Sequence, residues 1–164
     1  MVSTSEAKYK MLYRLFEKEI ENLDNIRKYS KIFNNRGLVY ASQGNYLSAA
    51  KDYSKAIELN SDNHVYYIGR STANLKLERY NDAYKDALKV LELKPESPDG
   101  YLNGGLALFN LNKFDEAISM YSNGIKKHPK DGMLYYGRSA AYKEKGNASK
   151  ATADDIKAKE LLSN

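Results

Sequence analysis

The chain has no cysteine. Disulfides, thiolate metal sites and cysteine nucleophiles are therefore excluded. Histidine occurs only twice, as His64 and His128. Two histidines without cysteine leave no basis for a metal site, and no metal or cofactor is expected. There is no tryptophan, and only three prolines stand in 164 residues. No stretch approaches the roughly 18 apolar residues of a membrane span, so none is expected. Met1 to Lys10 lacks the apolar core of a secretory signal. Together these absences imply a cytoplasmic location. The chain also lacks G-x-x-x-x-G-K-[ST], G-x-S-x-G and H-E-x-x-H, the signatures of phosphate loops, nucleophile elbows and zinc proteases. No catalytic residue is assigned, and no enzymatic activity is expected.

The net charge is +5. A basic balance can signal nucleic acid or an anionic membrane surface. Here the excess is spread thinly along the chain. Its densest cluster, Lys126, Lys127 and Lys130, is short. A nucleic-acid footprint concentrates on one face or stripe, so no nucleic-acid partner is expected. The fifteen tyrosines could stack bases, but most of them occupy positions that a core needs.

Those positions repeat. Ala49, Ala83, Ala117 and Ala151 stand 34 residues apart. Tyr46, Tyr80 and Phe114 precede the first three by three residues, and Ala148 takes that place in the fourth. Phe33, Tyr67, Tyr101 and Tyr135 form a second aromatic column. Val39, Ala73, Ala107 and Ala141 form a column of modest side chains. Arg36, Arg70 and Arg138 recur, interrupted by Gly104, and Gly37, Ser71, Gly105 and Ser139 follow them.

Each unit reads as two helices. Tyr67, Arg70, Ser71 and Asn74 share one face at helical spacing. Tyr80, Ala83, Tyr84, Ala87, Leu88 and Leu91 have the i, i+3, i+4, i+7 pattern of an amphipathic helix. Gly44-Asn45, Glu78-Arg79, Asn112-Lys113 and Gly146-Asn147 read as turns within units. All three prolines fall in turns between units, and a proline inside a helix would cost about 3 kcal/mol or more. Ala83 and Ser71 predict a close contact between the two helices of a hairpin. A single hairpin cannot bury its apolar face, so neighbours must stack.

A 34-residue period with small residues at the eighth and twentieth positions, an aromatic at the seventeenth and proline at the thirty-second resembles the tetratricopeptide repeat (TPR) family. The resemblance covers residues 30–161. It implies an all-α, right-handed superhelix of α-α hairpins, with units at 30–63, 64–97, 98–131 and 132–164. Residues 1–29 stand outside the repeat. There Tyr9, Leu12, Phe16, Leu23 and Ile26, with Ile20 nearby, predict an extra N-terminal amphipathic helix, read as a cap over the first hairpin or as a docking segment. The second helix of the fourth unit has Asp155 and Lys159 where apolar residues are usual, and reads as a polar C-terminal capping helix.

Other polar features read as structural. His64 and His128 fall in or beside turns. Asp154-Asp155 and Asp115-Glu116 are adjacent acids that point about 100° apart on a helix, so both pairs read as solvated or at helix starts. Gly104-Gly105 lies inside a predicted helix, where close packing explains it.

What remains is a surface. The resemblance implies that first helices line a concave groove, with ligand contacts at the second, fifth, ninth, twelfth and thirteenth positions. The site residues expected from that register are Ile68, Thr72, Leu75 and Lys76 in the second unit. Leu102, Leu106, Phe109 and Asn110 follow in the third, and Met133 and Tyr136 in the fourth. The expected partner is a protein or peptide segment, apolar or amphipathic, with Phe109 as anchor. The function implied is a scaffold, adaptor or assembly factor. The rival occupant is a second copy of the chain, docked through the groove or the N-terminal helix.

One TPR subclass holds acidic C-terminal tails of heat-shock chaperones by a carboxylate clamp rich in lysine, arginine and asparagine. The corresponding positions read Asn34, Leu38, Gly69, Asp99 and Asn103 from the first unit. From the second they read Ile68, Thr72, Asn103, Met133 and Gly137. Only Asn103 fits. Without basic side chains the carboxylate has no charge-assisted partners, so a co-chaperone role would need an atypical groove.

Overall fold

The computed structural model describes residues 4–163, with side chains described at Arg14, Leu15 and Lys18 and from Glu21 onward. Among the described residues there are eight α-helices and no strand. They are α1 (Thr4–Ser42), α2 (Tyr46–Leu59), α3 (His64–Lys76), α4 (Tyr80–Leu93), α5 (Pro98–Asn110), α6 (Phe114–Lys127), α7 (Gly132–Glu144) and α8 (Ala148–Leu162). Consecutive helices pack as hairpins, and each hairpin stacks on the next, giving an all-α solenoid.

Local chemistry sets the breaks. The residue fifteenth in each unit ends its first helix in the left-handed region: Gly44, Glu78, Asn112 and Gly146 have φ of 76°, 58°, 58° and 71°. Glycine adopts that conformation without a Cβ clash, whereas glutamate does not. Asn45, Asn63, Asp131 and Asn147 then cap α2, α3, α7 and α8 by accepting from backbone N–H groups with their side chains. Pro98 opens α5, where its missing N–H costs nothing.

One element departs from the sequence reading. The N-terminal helix is not a separate cap. It runs unbroken into the first unit, making α1 39 residues long. No glycine or proline occurs before Gly37, so nothing stops the helix. The segment does not fold back over the first hairpin: Leu15 and Leu23 are 53% and 51% exposed. Tyr9, Leu12, Phe16 and Ile20 of the expected stripe lie outside the described side chains.

The small columns pack as their sizes require. Ala83 and Ser71 are fully buried, and the Ser71 hydroxyl donates to the Ala83 carbonyl at 2.9 Å. Ser139 and Ala151 repeat this contact at 3.1 Å. In the first and third units glycine replaces that serine, and a tyrosine fills the space. Tyr53 lies between Gly37 and Gly69, and Tyr121 between Gly105 and Gly137. A Cβ on Gly69 would stand 2.6 Å from the Tyr53 ring, a clash. Each tyrosine thereby locks its own unit to the next. Leu108 and Leu134 complete the core around Tyr121, each contributing about 1.5–3 kcal/mol by burial.

The arginine column has a partner column. Arg70 donates from Nε and Nη2 to both carboxylate oxygens of Asp86, at 2.9 and 2.7 Å. Its Nη1 donates to Ser54 of the preceding hairpin at 3.0 Å. Arg138 repeats this with Asp154 and Ser122, and Arg36 pairs with Asp52. Each guanidinium also lies over an aromatic ring one turn earlier, Phe33, Tyr67 or Tyr135, at 5.3–5.7 Å. The reading of Asp154 as a solvated acid is therefore corrected: it is buried and paired with Arg138. Asp155 bonds Lys143 and Ser139, which hold its carboxyl below its usual pKa.

Candidate functional site

Neighbouring first helices touch: α1 with α3, α3 with α5 and α5 with α7. No such contact joins α2, α4, α6 and α8 to one another. The stack therefore bends so that first helices line its inner side. Their unpacked faces form one continuous surface. Asn103 of α5 donates to Thr72 of α3 across it, at 3.2 Å.

The ten residues expected on that surface divide by burial. Thr72, Lys76, Leu106, Asn110, Met133 and Tyr136 are exposed. Ile68, Leu75, Leu102 and Phe109 are half-buried. Leu106, Met133 and Tyr136 are 43%, 48% and 58% exposed, unusually open for large apolar side chains. Leu38 of α1 and Val65 of α3 occupy corresponding register positions and are similarly open. Leu102 and Phe109 instead pack against the core cluster of α5–α7. Phe109 meets the Phe114 ring edge-on at 5.5 Å between centroids. The expected anchor is thus shared between surface and core.

The polar groups around the strip are mostly spoken for. Asn110 donates back to the Leu106 carbonyl at 2.8 Å. Lys143 is drawn to Asp155 of α8 at 2.7 Å. Lys76 and Asp99 stay exposed at opposite ends of their helices. Asn34 carries a buried side-chain oxygen without a donor, beneath the α1 end of the surface.

A further concavity opens between α2 and α4. It is lined by Lys51, Ser54, Glu58, Arg70, Asp82 and Asp86 among others. Its floor is the Arg70–Asp86 pair, whose charges already satisfy each other. The His128 Nε2–H donates to the Glu96 backbone carbonyl at 2.8 Å, tying one inter-unit turn to the previous one. Among the described residues, no cluster of three histidines or acids could hold a metal, and no helix is long and apolar enough to cross a membrane.

Family models described as tetratricopeptide repeat match residues 30–63 and 102–157. The chain is 37% identical over 102 residues to a STIP1 homolog of Dictyostelium discoideum, covering 62% of this chain and 18% of that protein. It is 36% identical over 95 residues to heat shock protein STI1 of Saccharomyces cerevisiae, covering 53% and 16%. It therefore spans less than a fifth of either relative's length. A crystal structure of MamA superposes with a TM-score of 0.76 at 20% identity, covering 99% of this chain and 96% of that one. That likeness concerns the fold.

Proposed function

The chain belongs to the tetratricopeptide repeat family, and from that premise we propose that it is a non-catalytic protein-interaction module. It holds an apolar or amphipathic segment of another protein along the inner face of its first helices, as a scaffold, adaptor or assembly factor of the cytoplasm. One observation carries this reading. Leu38, Val65, Leu106, Met133 and Tyr136 leave large apolar side chains open on four successive first helices. Contiguous exposed apolar surface of this kind marks interaction sites. An extended or helical peptide spans such a row.

The heat-shock names of the relatives favour a second reading, a co-chaperone that binds an acidic chaperone tail. The chemistry of the face argues against it. Its fifth-position residues are Asn34, Ile68, Leu102 and Tyr136, none of which supplies a cation for a terminal carboxylate.

Selection from a displayed peptide library separates the two. The proposed function predicts enrichment of apolar or amphipathic peptides, lost when Leu106 and Tyr136 are changed to Asp. Enrichment of acidic peptides that require a free C-terminal carboxylate supports the co-chaperone reading instead.

A further inference from the structure

Each of α3, α5 and α7 is covered on one side by the second helix of the preceding hairpin. No second helix precedes α1 among the described residues, so its matching side stands open. Register identifies that side. Tyr66, Gly100 and Leu134 occupy one position of the covered helices, and Ala73, Ala107 and Ala141 the position seven residues later. All six are buried. Gly100 lies against Val90 and Leu91 of α4, Leu134 against Gly124 of α6, and Ala73 packs with Ala50 and Tyr53 of α2. In α1 the same two positions hold Ile32 and Val39, which are 51% and 54% exposed. Ile32, Asn35, Arg36 and Val39 share one helical face at i, i+3, i+4 and i+7.

The arginine column shows the same vacancy in polar terms. Arg70 and Arg138 each donate from Nη1 to a serine of the preceding second helix, Ser54 or Ser122, at 3.0 Å. Arg36 pairs with Asp52 through Nε and Nη2, but its Nη1 has no partner among the described residues. Its side chain is 56% exposed, against 26% and 19% for the other two.

The internal contacts say what fits there. The large Leu134 is met by Gly124, whereas Gly100 is met by Val90. Ile32 is large, so it calls for a small residue. Gly69 and Gly137 admit the rings of Tyr53 and Tyr121, where a Cβ would stand 2.6 and 2.5 Å from ring atoms. Asn35 takes that place in α1 and bars a ring, as Asn103 stands opposite Ala87 in register. Arg36 calls for a hydroxyl at the position of Ser54 and Ser122. On the covering helix these positions are consecutive for the first two and two residues on for the third, as in Tyr53, Ser54 and Ala56. The helix that fits α1 therefore reads small, Ser or Thr, any residue, small. In α8 the corresponding residues are Asp155, Ile156 and Ala158. Asp155 is already bonded to Lys143 and Ser139, and Ile156 offers Arg36 no acceptor. A second copy stacked end to end thus fails at two of three positions.

We propose that the face of α1 formed by Ile32, Asn35, Arg36 and Val39 docks an amphipathic α-helix of a partner protein with that small–hydroxyl–x–small pattern. The partner helix takes the place that α2 holds against α3. The inner face of the solenoid is not involved, so this inference stands or falls apart from the peptide-binding reading.

The probe is a peptide of residues 46–59, the α2 sequence, carrying Tyr53→Ala to match the pattern. Short helices are marginal in water, so Lys55→Glu provides a lactam bridge from Lys51 on the exposed side. Titrated into the isotope-labelled full chain, this peptide should shift the amide resonances of Ile32, Asn35, Arg36 and Val39 with a Kd below about 1 mM. Ser54→Ala in the peptide should weaken binding about fivefold, by removing the acceptor for Arg36. Keeping Tyr53 should weaken it about tenfold, by forcing a ring onto Asn35. Val39→Asp in the chain, at an exposed site, should abolish the shifts and leave the circular dichroism signal unchanged. Leu106→Asp, on the inner face, should leave the shifts intact. Three outcomes would each overturn the proposal: no shifts at about 1 mM peptide, equal binding by the peptide that keeps Tyr53, or movement of the same amides on concentrating the chain alone, which would give the face to a second copy.

Discussion

Arg70 makes three hydrogen bonds and one ring contact, and every partner sits in another repeat column. Its guanidinium pKa is raised by the hydrogen bond to Asp86. Asp86 is nearly buried, and Arg70 is about a quarter exposed. Removing the acid leaves a part-buried cation without its partner. Asp86→Ala should therefore cost about 2–4 kcal/mol in a urea titration. Glu96→Ala, which breaks the equally short but exposed pair with Lys127, should cost less than about 0.5 kcal/mol. Ala83→Leu should destabilise by about 1–3 kcal/mol through overpacking, while substitution of exposed Lys76 shifts stability by under about 0.5 kcal/mol. Tyr121 adds a pH dependence. Burial pushes its hydroxyl pKa up, so the fold favours the neutral phenol. That stability is whole below the ordinary tyrosine pKa of about 10 and is lost as pH rises above it. Tyr121→Phe should show a shallower fall in urea midpoint between pH 9 and 11 than the native chain. At this scale the sequence displayed the arginine and aromatic columns plainly. The aspartates sixteen residues later recur as regularly, but that spacing has no meaning on one helix. It acquires one only when the hairpin closes and brings Asp154 against Arg138.

Among the elements, helix breaks were legible wherever a residue had a local conformational reason. Gly44 and Gly146 supply the left-handed turn directly, and Pro98 a helix start. Glu78 fills the same turn position at φ 58° with a side chain that disfavours it. Glu78→Gly should raise stability by about 0.5–1 kcal/mol, read as a higher thermal midpoint. No change in the folded circular dichroism signal should accompany it. The end of the N-terminal helix was not legible for the opposite reason. Residues 4–36 contain no breaker, so a unit boundary at Ser30 left no local mark and α1 passes through it. The alternation of glycine and serine after the arginine column did carry a signal. Gly37 and Gly105 announce the places where Tyr53 and Tyr121 enter, so the true packing period is two units.

For the whole molecule, the period dictates the stack, and the stack decides which faces stay open. The inner row takes its register from the family resemblance. Burial along it was not legible in the sequence, since it depends on how closely each hairpin approaches the next. Phe109 shows this. Its contact with Phe114 means that Phe109→Ala should both weaken peptide binding and lower stability, by about 1–2 kcal/mol for the lost packing. That variant therefore cannot isolate recognition. Leu106 and Tyr136 can, because both are open and neither belongs to the buried core. Leu88, equally exposed on the second helix α4, supplies the matched control. The decisive measurement is calorimetric titration of the strongest library-selected peptide into the native chain, Leu106→Asp and Leu88→Asp. The inner-face account predicts that Leu106→Asp weakens binding by about 30-fold or more, as for a hot spot worth about 2 kcal/mol. Leu88→Asp should leave the affinity within about twofold. Loss of binding with Leu88→Asp and full retention with Leu106→Asp would contradict it.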